Sequence, residues 1–254
     1  LLSCAKTMSA VSKVKVPLTT SPRFQKEAAE IALQMSQFSV DELERLLRVN
    51  AKIAVENYKR YQAFHAEATP ELPALLAYTG IVFKRLNPKD FSAEDFGYAQ
   101  EHLRLTSFCY GLLRPLDVIR AYRLEGDVVL PELGNQTLFF YWRSRLTDTF
   151  IEDIRSAGGI LCNLASDEMK SLFDWKRVES EVRVVTPEFH VWKNGKLATI
   201  VVYTKMSRGE MTRFILKNKI GNPEELKGFS WEGFEFDESL SDERKLVFIN
   251  GMGE

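Results

Sequence analysis

The chain has 254 residues and carries 34 basic and 35 acidic side chains, which gives a formal net charge of −1. This balance excludes nucleic-acid binding through overall charge, so any such partner has to be recognised by a local basic face. No apolar run reaches the roughly 18 residues that span a membrane, and no signal-peptide pattern is present. The three cysteines, Cys4, Cys109 and Cys162, are scattered along the chain. We therefore expect a soluble protein of the reducing cytoplasm, with no membrane partner.

The first half of the chain is predicted to be mainly helical. Residues 1–4 lack an initiator methionine and are typical of the end of a core strand. Apolar residues at helical spacing predict a helix opened by Pro22, and one long or two abutting helices over residues 40–65. The apolar run at residues 74–80 is compatible with either a strand or a helix. A capping-box pattern at Ser92 predicts a further helix.

Residues 103–124 combine four arginines with a Gly-Leu-Leu-Arg-Pro turn. We expect the helix that follows Ser92 to end at Gly111 and Pro115 to open another helix. A turn of this kind aims free backbone N–H groups outward, where they can hold a phosphate or a carboxylate. The alternative is a plain helix connection whose arginines are solvated or paired with acids. The predicted phosphate-binding residues of this segment are Arg104, Gly111, Leu112, Arg114 and Arg123.

Helices and strands are mixed in the second half of the chain. The predicted elements are a helix over residues 139–156 stopped by Gly158 and Gly159, a strand at 160–164, strands at 182–186, 189–192 and 197–203 with a turn at Asn194 and Gly195, a helix at 207–218, and final strands at 231–236 and 246–249. The pattern predicts one α+β (mixed α/β) domain over residues 1–254, built around a mixed sheet.

Polar residues are concentrated where predicted strands end, which is where α/β proteins usually place their sites. In residues 163–168, the Asn, Ser and Asp side chains are favoured helix caps, and plain capping is one interpretation. The functional interpretation is a polar pocket in which Glu168 or Asp167 acts as acid or base with help from Lys6. The candidate catalytic residues are Lys6, Asn163, Ser166 and Glu168.

Lys205 and Arg208 form a second candidate anion site, with Lys205 on a predicted strand and Arg208 in the helix after it. Arg208 and Arg213 lie about 500° apart at ~100° per residue, so they do not share one helix face and one of them could pair internally. The alternative role for Lys205 and Arg208 is a structural ion pair. The three histidines are isolated, and neither a Walker A loop nor a GxGxxG motif follows a strand. We therefore predict no metal site and no cofactor.

Several different short motifs occur along the whole chain in a characteristic order. They are SCAKT at residues 3–7, LTT at 18–20, HLR at 102–104, YGLLRPLD at 110–117, YRLE at 122–125, NLASDE at 163–168, RGEMTR at 208–213 and FEFD at 234–237. In this combination they resemble the YaaA peroxide-stress family.

The resemblance implies a bacterial cytoplasmic protein that supports resistance to hydrogen peroxide, limits oxidative DNA damage and is associated with lower free intracellular iron. It also implies an unusual α/β fold, a positively charged cleft and DNA binding through a helix-hairpin-helix element, which would correspond to residues 103–119. The dispersed histidines and cysteines do not suggest a dedicated iron store, so an effect on iron would be indirect.

Three hypotheses follow for the function. The leading one is a stress protein that binds duplex or structurally irregular DNA through Arg104, Arg114, Arg123, Lys205 and Arg208, mainly by neutralising phosphates. The second is an enzyme acting on a nucleobase, nucleotide or related metabolite in a polar pocket around Lys6 and Glu168. In the third, both clusters are ion-pair networks that organise the fold.

Overall fold

The computed structural model describes residues 1–193 and 195–251, which form a mixed α/β fold. Within these residues the α-helices are α1 (Gln25–Met35), α2 (Val40–Leu47), α3 (Ala51–Ala63), α4 (Ala74–Ala77), α5 (Ile81–Leu86), α6 (Ala93–His102), α7 (Leu138–Ser156), α8 (Asp167–Lys170), α9 (Trp175–Glu181) and α10 (Val201–Asn218). The β-strands are β1 (Glu71–Pro73), β2 (Leu105–Ser107), β3 (Gly111–Leu113), β4 (Val118–Arg120), β5 (Val129–Leu130), β6 (Gln136–Thr137), β7 (Ile160–Cys162), β8 (Arg183–Lys193), β9 (Lys196–Ala198), β10 (Phe234–Phe236) and β11 (Lys245–Asn250).

The largest sheet has the order β10-β11-β8-β7, and β9 pairs with β8. Strand β8 runs parallel to both β7 and β11, whereas β9 and β10 run antiparallel to their neighbours. Side chains of β8 alternate between buried and more exposed positions, which is the period of two that predicted strands here. The predicted mixed sheet and hairpin are confirmed, although Asn194 of the predicted turn lies outside the described residues.

The helices of the first half follow the sequence pattern closely. Two successive helices, α2 and α3, cover most of residues 40–65, and each begins at a capping side chain, Ser39 or Asn50. Helix α6 begins with the predicted capping box at Ser92. The run at 74–80, which periodicity left open, contains the short helix α4. Caps and apolar spacing are local signals, so they predict these helices without knowledge of the tertiary fold.

Residues 103–124 do not form the predicted helix, turn and helix. Helix α6 ends at His102, well before Gly111, and the segment continues as the short strands β2, β3 and β4. Strands β2 and β3 pair with each other, β4 pairs with β1, and Leu2 forms a parallel bridge to Leu105. Periodicity cannot separate a short buried strand from a buried helix, and here the pairing with distant segments decides the structure.

The backbone N–H groups of the Arg-Pro turn are used within the protein. The Arg114 N–H donates to Asp117 Oδ2 over 2.8 Å, and the Leu116 N–H donates to Gln100 Oε1 over 2.8 Å. These two donors are therefore not available to an external anion, contrary to the prediction from the sequence.

Helix α10 begins at Val201, earlier than the predicted start at residue 207. The β-branched run that predicted a strand to residue 203 stays in β9 only as far as Ala198. Lys205 consequently lies on the helix, one turn before Arg208. The β propensity of such a run is strongly context-dependent, and the packing of α10 against α5 overrides it.

One connected core of buried apolar side chains extends from Leu1 to Phe248 and links the helices to the sheet. Trp142 of α7 is fully buried, and its indole N–H donates to the Phe108 carbonyl oxygen over 2.9 Å. Gly111 has a φ of +69°, and a Cβ there would lie 2.7 Å from the Trp142 ring. In the described part of the chain, no helix combines the length and the apolar character needed to cross a membrane.

Candidate functional site

A cavity of about 330 Å³ lies between the N-terminal loop, the start of α5 and the first half of α10. We call it the basic cavity; it is lined by residues 2–7, 80–83, 108, 122–124, 164, 166, 168, 169, 205 and 208. The buried rings of Phe83, Phe108 and Tyr122 form part of its wall, while Lys6 and Lys205 are exposed. The cavity thus combines an apolar interior with a charged mouth, which is the composition of a small-molecule or nucleotide site.

Three of the four candidate catalytic residues meet at this cavity. Lys6, Ser166 and Glu168 line it. Ser166 lies in the loop after β7, and Glu168 lies in α8, the short helix that follows this loop. Asn163 is buried behind the lining, where its Oδ1 accepts a hydrogen bond from the Ala165 N–H over 3.2 Å. Asn163 therefore shapes the loop rather than facing the cavity.

Two serines join the N-terminal loop to the loop after β7. Ser3 Oγ accepts a hydrogen bond from the Ser166 N–H over 2.9 Å and lies 3.2 Å from Ser166 Oγ. Ser166 is the residue before α8, yet its side chain makes no capping hydrogen bond there. Its hydroxyl instead holds together two walls of the basic cavity.

Lys6 and Arg123 share one carboxylate, that of Glu125. Lys6 Nζ lies 2.7 Å from Glu125 Oε2, and Arg123 Nη2 lies 3.7 Å from Glu125 Oε1. The Glu125 side chain is only 6% exposed, so it neutralises these cations from behind the cavity wall. Glu125 was not predicted as a site residue from the sequence, although its position in the YRLE motif was a signal that could have identified it.

Arg208 is the most unusual cation of the basic cavity. It is half-buried, and its Nε is hidden from solvent and has no hydrogen-bond partner in the described residues. Burial lowers the pKa of Arg208, an effect that the charge of Asp167 opposes. An N–H group that is hidden from solvent normally has a hydrogen-bond acceptor beside it, so the Nε of Arg208 is available to an external anion.

Arg208 reaches the cavity because α10 and α5 approach closely. A Cβ at Gly209 would lie 2.3 Å from the Val82 carbonyl oxygen and 2.8 Å from Arg85 Cβ, so only glycine fits this contact. On the same helix, Arg213 Nη1 donates to Asp90 Oδ1 over 2.9 Å, as expected for an arginine on another face. Arg208 faces the cavity and Arg213 is paired.

Arg104 lies outside the basic cavity and is already well bonded. Its Nε donates to Asp153 Oδ2 over 2.6 Å, and its Nη1 donates to three main-chain carbonyl oxygens at the end of α6 and in the residue after it. Arg104 and Asp153 line a separate cavity of about 190 Å³. Arg104 therefore satisfies carbonyl oxygens at the C-terminal end of α6.

Arg114 is also engaged within the protein. Its Nη2 donates to Asp117 Oδ1 over 2.9 Å, and Asp117 is buried and accepts a further hydrogen bond from Thr20. Gly111 and Leu112 are buried in β3 and do not line the basic cavity. Of the predicted phosphate-binding residues, the structure brings Arg123, Lys205 and Arg208 together and places the other four elsewhere.

The thiols of the described residues are held protonated. Burial raises the pKa of Cys4, which lines the basic cavity, to about 12 and that of Cys162 to about 11. Burial also raises the pKa of Cys109 well above its ordinary value. Because the thiolate is the reactive form, these cysteines are poor nucleophiles at neutral pH.

No group of three or more histidine, cysteine, aspartate or glutamate side chains is placed to hold a metal ion in residues 1–193 and 195–251.

The comparisons with known proteins agree on one family. A family profile described as "Peroxide stress protein YaaA" matches residues 1–240. The chain is 99% identical to a UPF0246 protein of Bacteroides thetaiotaomicron over 100% of this chain and 99% of that relative. It is 78% identical to a UPF0246 protein of Bacteroides fragilis over 100% and 99% of the two chains, and 37% identical to one from Crocosphaera subtropica over 98% of each. This chain therefore belongs to the YaaA (UPF0246) family of peroxide stress proteins.

Proposed function

We propose that this peroxide stress protein acts in the cytoplasm by binding DNA phosphates at the basic cavity, and that it limits oxidative DNA damage in this way. The observation that carries the proposal is the unpartnered Nε of Arg208 in the wall of a cavity with a charged mouth. A lower level of free iron, which the family resemblance implied, is proposed as an indirect consequence.

The charges around the basic cavity support an anionic ligand. Its cations are Lys6, Arg123, Lys205 and Arg208. Glu168 is the carboxylate of the lining, and Glu125 is the carboxylate behind it. Four cations against two carboxylates leave a local surplus of positive charge on a chain whose overall charge is −1. A concentrated positive field of this kind attracts phosphate groups even when the whole protein is nearly neutral.

Replacing Lys205 and Arg208 together by alanine is expected to weaken DNA binding by about tenfold or more, because charge-assisted contacts to phosphate are lost. The loss should be similar for every DNA sequence, and the slope of log K against log salt should become shallower by about 2. Fluorescence anisotropy with labelled duplex, mismatched and branched DNA over a salt series measures both quantities.

The matched control removes two cations that lie elsewhere. Lys52 and Lys59 are exposed on α3 and do not line the basic cavity, so the Lys52→Ala/Lys59→Ala variant should bind DNA like the parent protein. Equal weakening in the two double variants would refute a specific role for the cavity. Undetectable DNA binding by the parent protein at low salt would refute the proposed function itself.

A second candidate function is an enzyme that acts on a nucleobase, a nucleotide or a related metabolite. It is favoured by the presence of Lys6, Ser166 and Glu168 in the same cavity as the phosphate-binding candidates. Glu168 is exposed in α8, the short helix after β7, and a carboxylate in such a cavity is a candidate general acid or base. The arginines would then hold the phosphate of the substrate.

The Glu168→Gln substitution separates the two functions. For an enzyme, we expect it to abolish turnover of deoxynucleotides or DNA oligonucleotides while leaving DNA affinity nearly unchanged, because the amide cannot transfer the proton. Product formation followed by chromatography, together with anisotropy binding, measures both. Full activity in the glutamine variant would show that Glu168 is not the acid or base.

A further inference from the structure

The basic cavity differs from an open basic groove because its aromatic wall is buried while its lysines lie at the surface. The rings of Phe83, Phe108 and Tyr122 in its wall are buried, whereas Lys6 and Lys205 are exposed to solvent. A volume of about 330 Å³ is at the lower end of the range for ligand pockets. A phosphate inside a continuous strand carries a nucleotide on each side, and both would have to pass the mouth. A phosphate at the end of a strand carries only one.

The local charge also distinguishes the two kinds of phosphate. The four cations and two carboxylates leave a surplus of two positive charges. A phosphodiester carries one negative charge, whereas a terminal phosphate monoester carries between −1.5 and −2 at neutral pH and has three strong acceptor oxygens, as a rough general value. The monoester therefore balances the surplus better than the diester does.

The arginine N–H groups that lack a hydrogen-bond partner are suited to contact several oxygen atoms of one phosphate. Arg123 Nε and Arg208 Nε are both hidden from solvent without a hydrogen-bond partner in the described residues, and the two arginines belong to different segments of the wall. Guanidinium groups bind phosphate through paired N–H donors, so two of them can contact different oxygens of one phosphate. Ser166 and Lys6 line the same cavity and supply further donors.

We propose that the basic cavity selects a terminal phosphate monoester, which is the phosphorylated end of a DNA strand, over the phosphodiesters inside the strand. This inference rests on the proposed DNA binding at the same cavity. The protein then recognises DNA that has been broken.

The test compares strands that differ only at one end. Twelve-nucleotide strands labelled with fluorescein at one end carry, at the other end, a 5′-phosphate, a 3′-phosphate or a hydroxyl group, and the Kd of each is measured by anisotropy with the whole chain. We expect at least one phosphorylated end to bind about tenfold more tightly than the hydroxyl end, which corresponds to one charge-assisted hydrogen bond or more. The Arg208→Ala variant should lose this preference, and Lys52→Ala/Lys59→Ala should keep it.

A second variant covers the case in which Arg208→Ala does not fold. Lys205 is exposed on α10, so Lys205→Ala should leave the fold intact and reduce the preference. Equal Kd values for phosphorylated and hydroxyl ends, with DNA still bound, would overturn this inference and leave the proposed function standing. No binding of any strand would overturn both.

Competition identifies the source of the monoester. A deoxynucleoside 5′-monophosphate and inorganic phosphate are added in turn to the complex with the phosphorylated strand. We expect each to compete more weakly than an unlabelled phosphorylated strand, because the adjoining nucleotides add contacts. Displacement by the free mononucleotide at the same concentration as the strand would assign the cavity to free nucleotides and overturn the assignment to strand ends.

Discussion

Replacing Asp95 by alanine is expected to lower the free energy of unfolding by about 2–4 kcal/mol, because a buried carboxylate with several hydrogen bonds is removed. Asp95 lies in the first turn of α6, and its side chain is 8% exposed. Its Oδ2 accepts from Lys217 Nζ over 2.8 Å and from the Ser92 N–H over 2.9 Å, and its Oδ1 accepts from Lys219 Nζ. The carboxylate thus ties the start of α6 to the end of α10.

Urea unfolding with linear extrapolation measures this loss. Glu94 is the matched control, since it is the neighbouring acid of the same first turn but is exposed. Glu94→Gln should change the free energy of unfolding by no more than about 0.5 kcal/mol. Asp95→Asn should fall between the two, because the amide oxygen can still accept from the Ser92 N–H while the charge is gone. A loss in Asp95→Ala no larger than that in Glu94→Gln would contradict the role assigned to this contact.

The contribution of Asp95 should also depend on pH. Burial acts to raise its pKa, but the hydrogen bonds from the two lysines and from Ser92 outweigh burial and hold the pKa well below its ordinary value. The unfolded chain therefore takes up the proton first as the pH falls, so stability decreases. The difference between the parent protein and Asp95→Asn should be constant near neutrality and should shrink below about pH 4, the ordinary range of an aspartate.

Gly209→Ala is expected to destabilise the protein by about 1–3 kcal/mol, because the added methyl group overpacks the contact between α10 and α5. The new Cβ would lie 2.3 Å from the carbonyl oxygen of Val82, which is main chain and cannot rotate away. Alanine normally improves a helix interior by about 0.5–1 kcal/mol, so a net loss reports the close approach itself. Val82 and Arg208 both line the basic cavity, and DNA affinity should therefore fall as well.

Gly97→Ala provides the control for this prediction. Gly97 lies inside α6, and a Cβ there would have no heavy atom of the described residues within 4 Å apart from its chain neighbours and the backbone of its own helix. Gly97→Ala should therefore raise the free energy of unfolding by roughly 0.5–1 kcal/mol and leave DNA affinity unchanged. Chemical denaturation and anisotropy give both numbers, and equal stabilisation by the two alanines would contradict the close helix contact.

The fold is predictable from the sequence where the signals are local. Helices α2, α3 and α6 begin at capping side chains, and β8 shows an alternation of period two. Residues 103–124 were not predictable, because three short strands are fixed there by partners such as Leu2 and β1 that are distant in sequence. Local propensity also failed at the start of α10, where a β-branched run joins a helix held by tertiary packing.

The sequence indicated several residues of the candidate site but not that they line one cavity. Lys6 and Glu168 were grouped from their positions after predicted strands, and Lys205 with Arg208 as a separate anion site, whereas the structure places all four on one cavity. Arg114 illustrates the reverse case: its acid partner, Asp117, stands three residues away in the sequence, but the sequence does not show whether an arginine binds an internal acid or an external phosphate. Only the tertiary arrangement decides this.

The basic cavity takes its wall from six separate stretches of the chain, which include both the first residues and α10. Short fragments of the protein consequently do not contain the site, and a ligand has affinity only for the fully folded chain. Every bound ligand then adds to the free energy of unfolding of the whole protein, by about 2.7 kcal/mol when its free concentration is a hundred times Kd. Occupancy of the cavity and stability of the fold are therefore parts of one equilibrium.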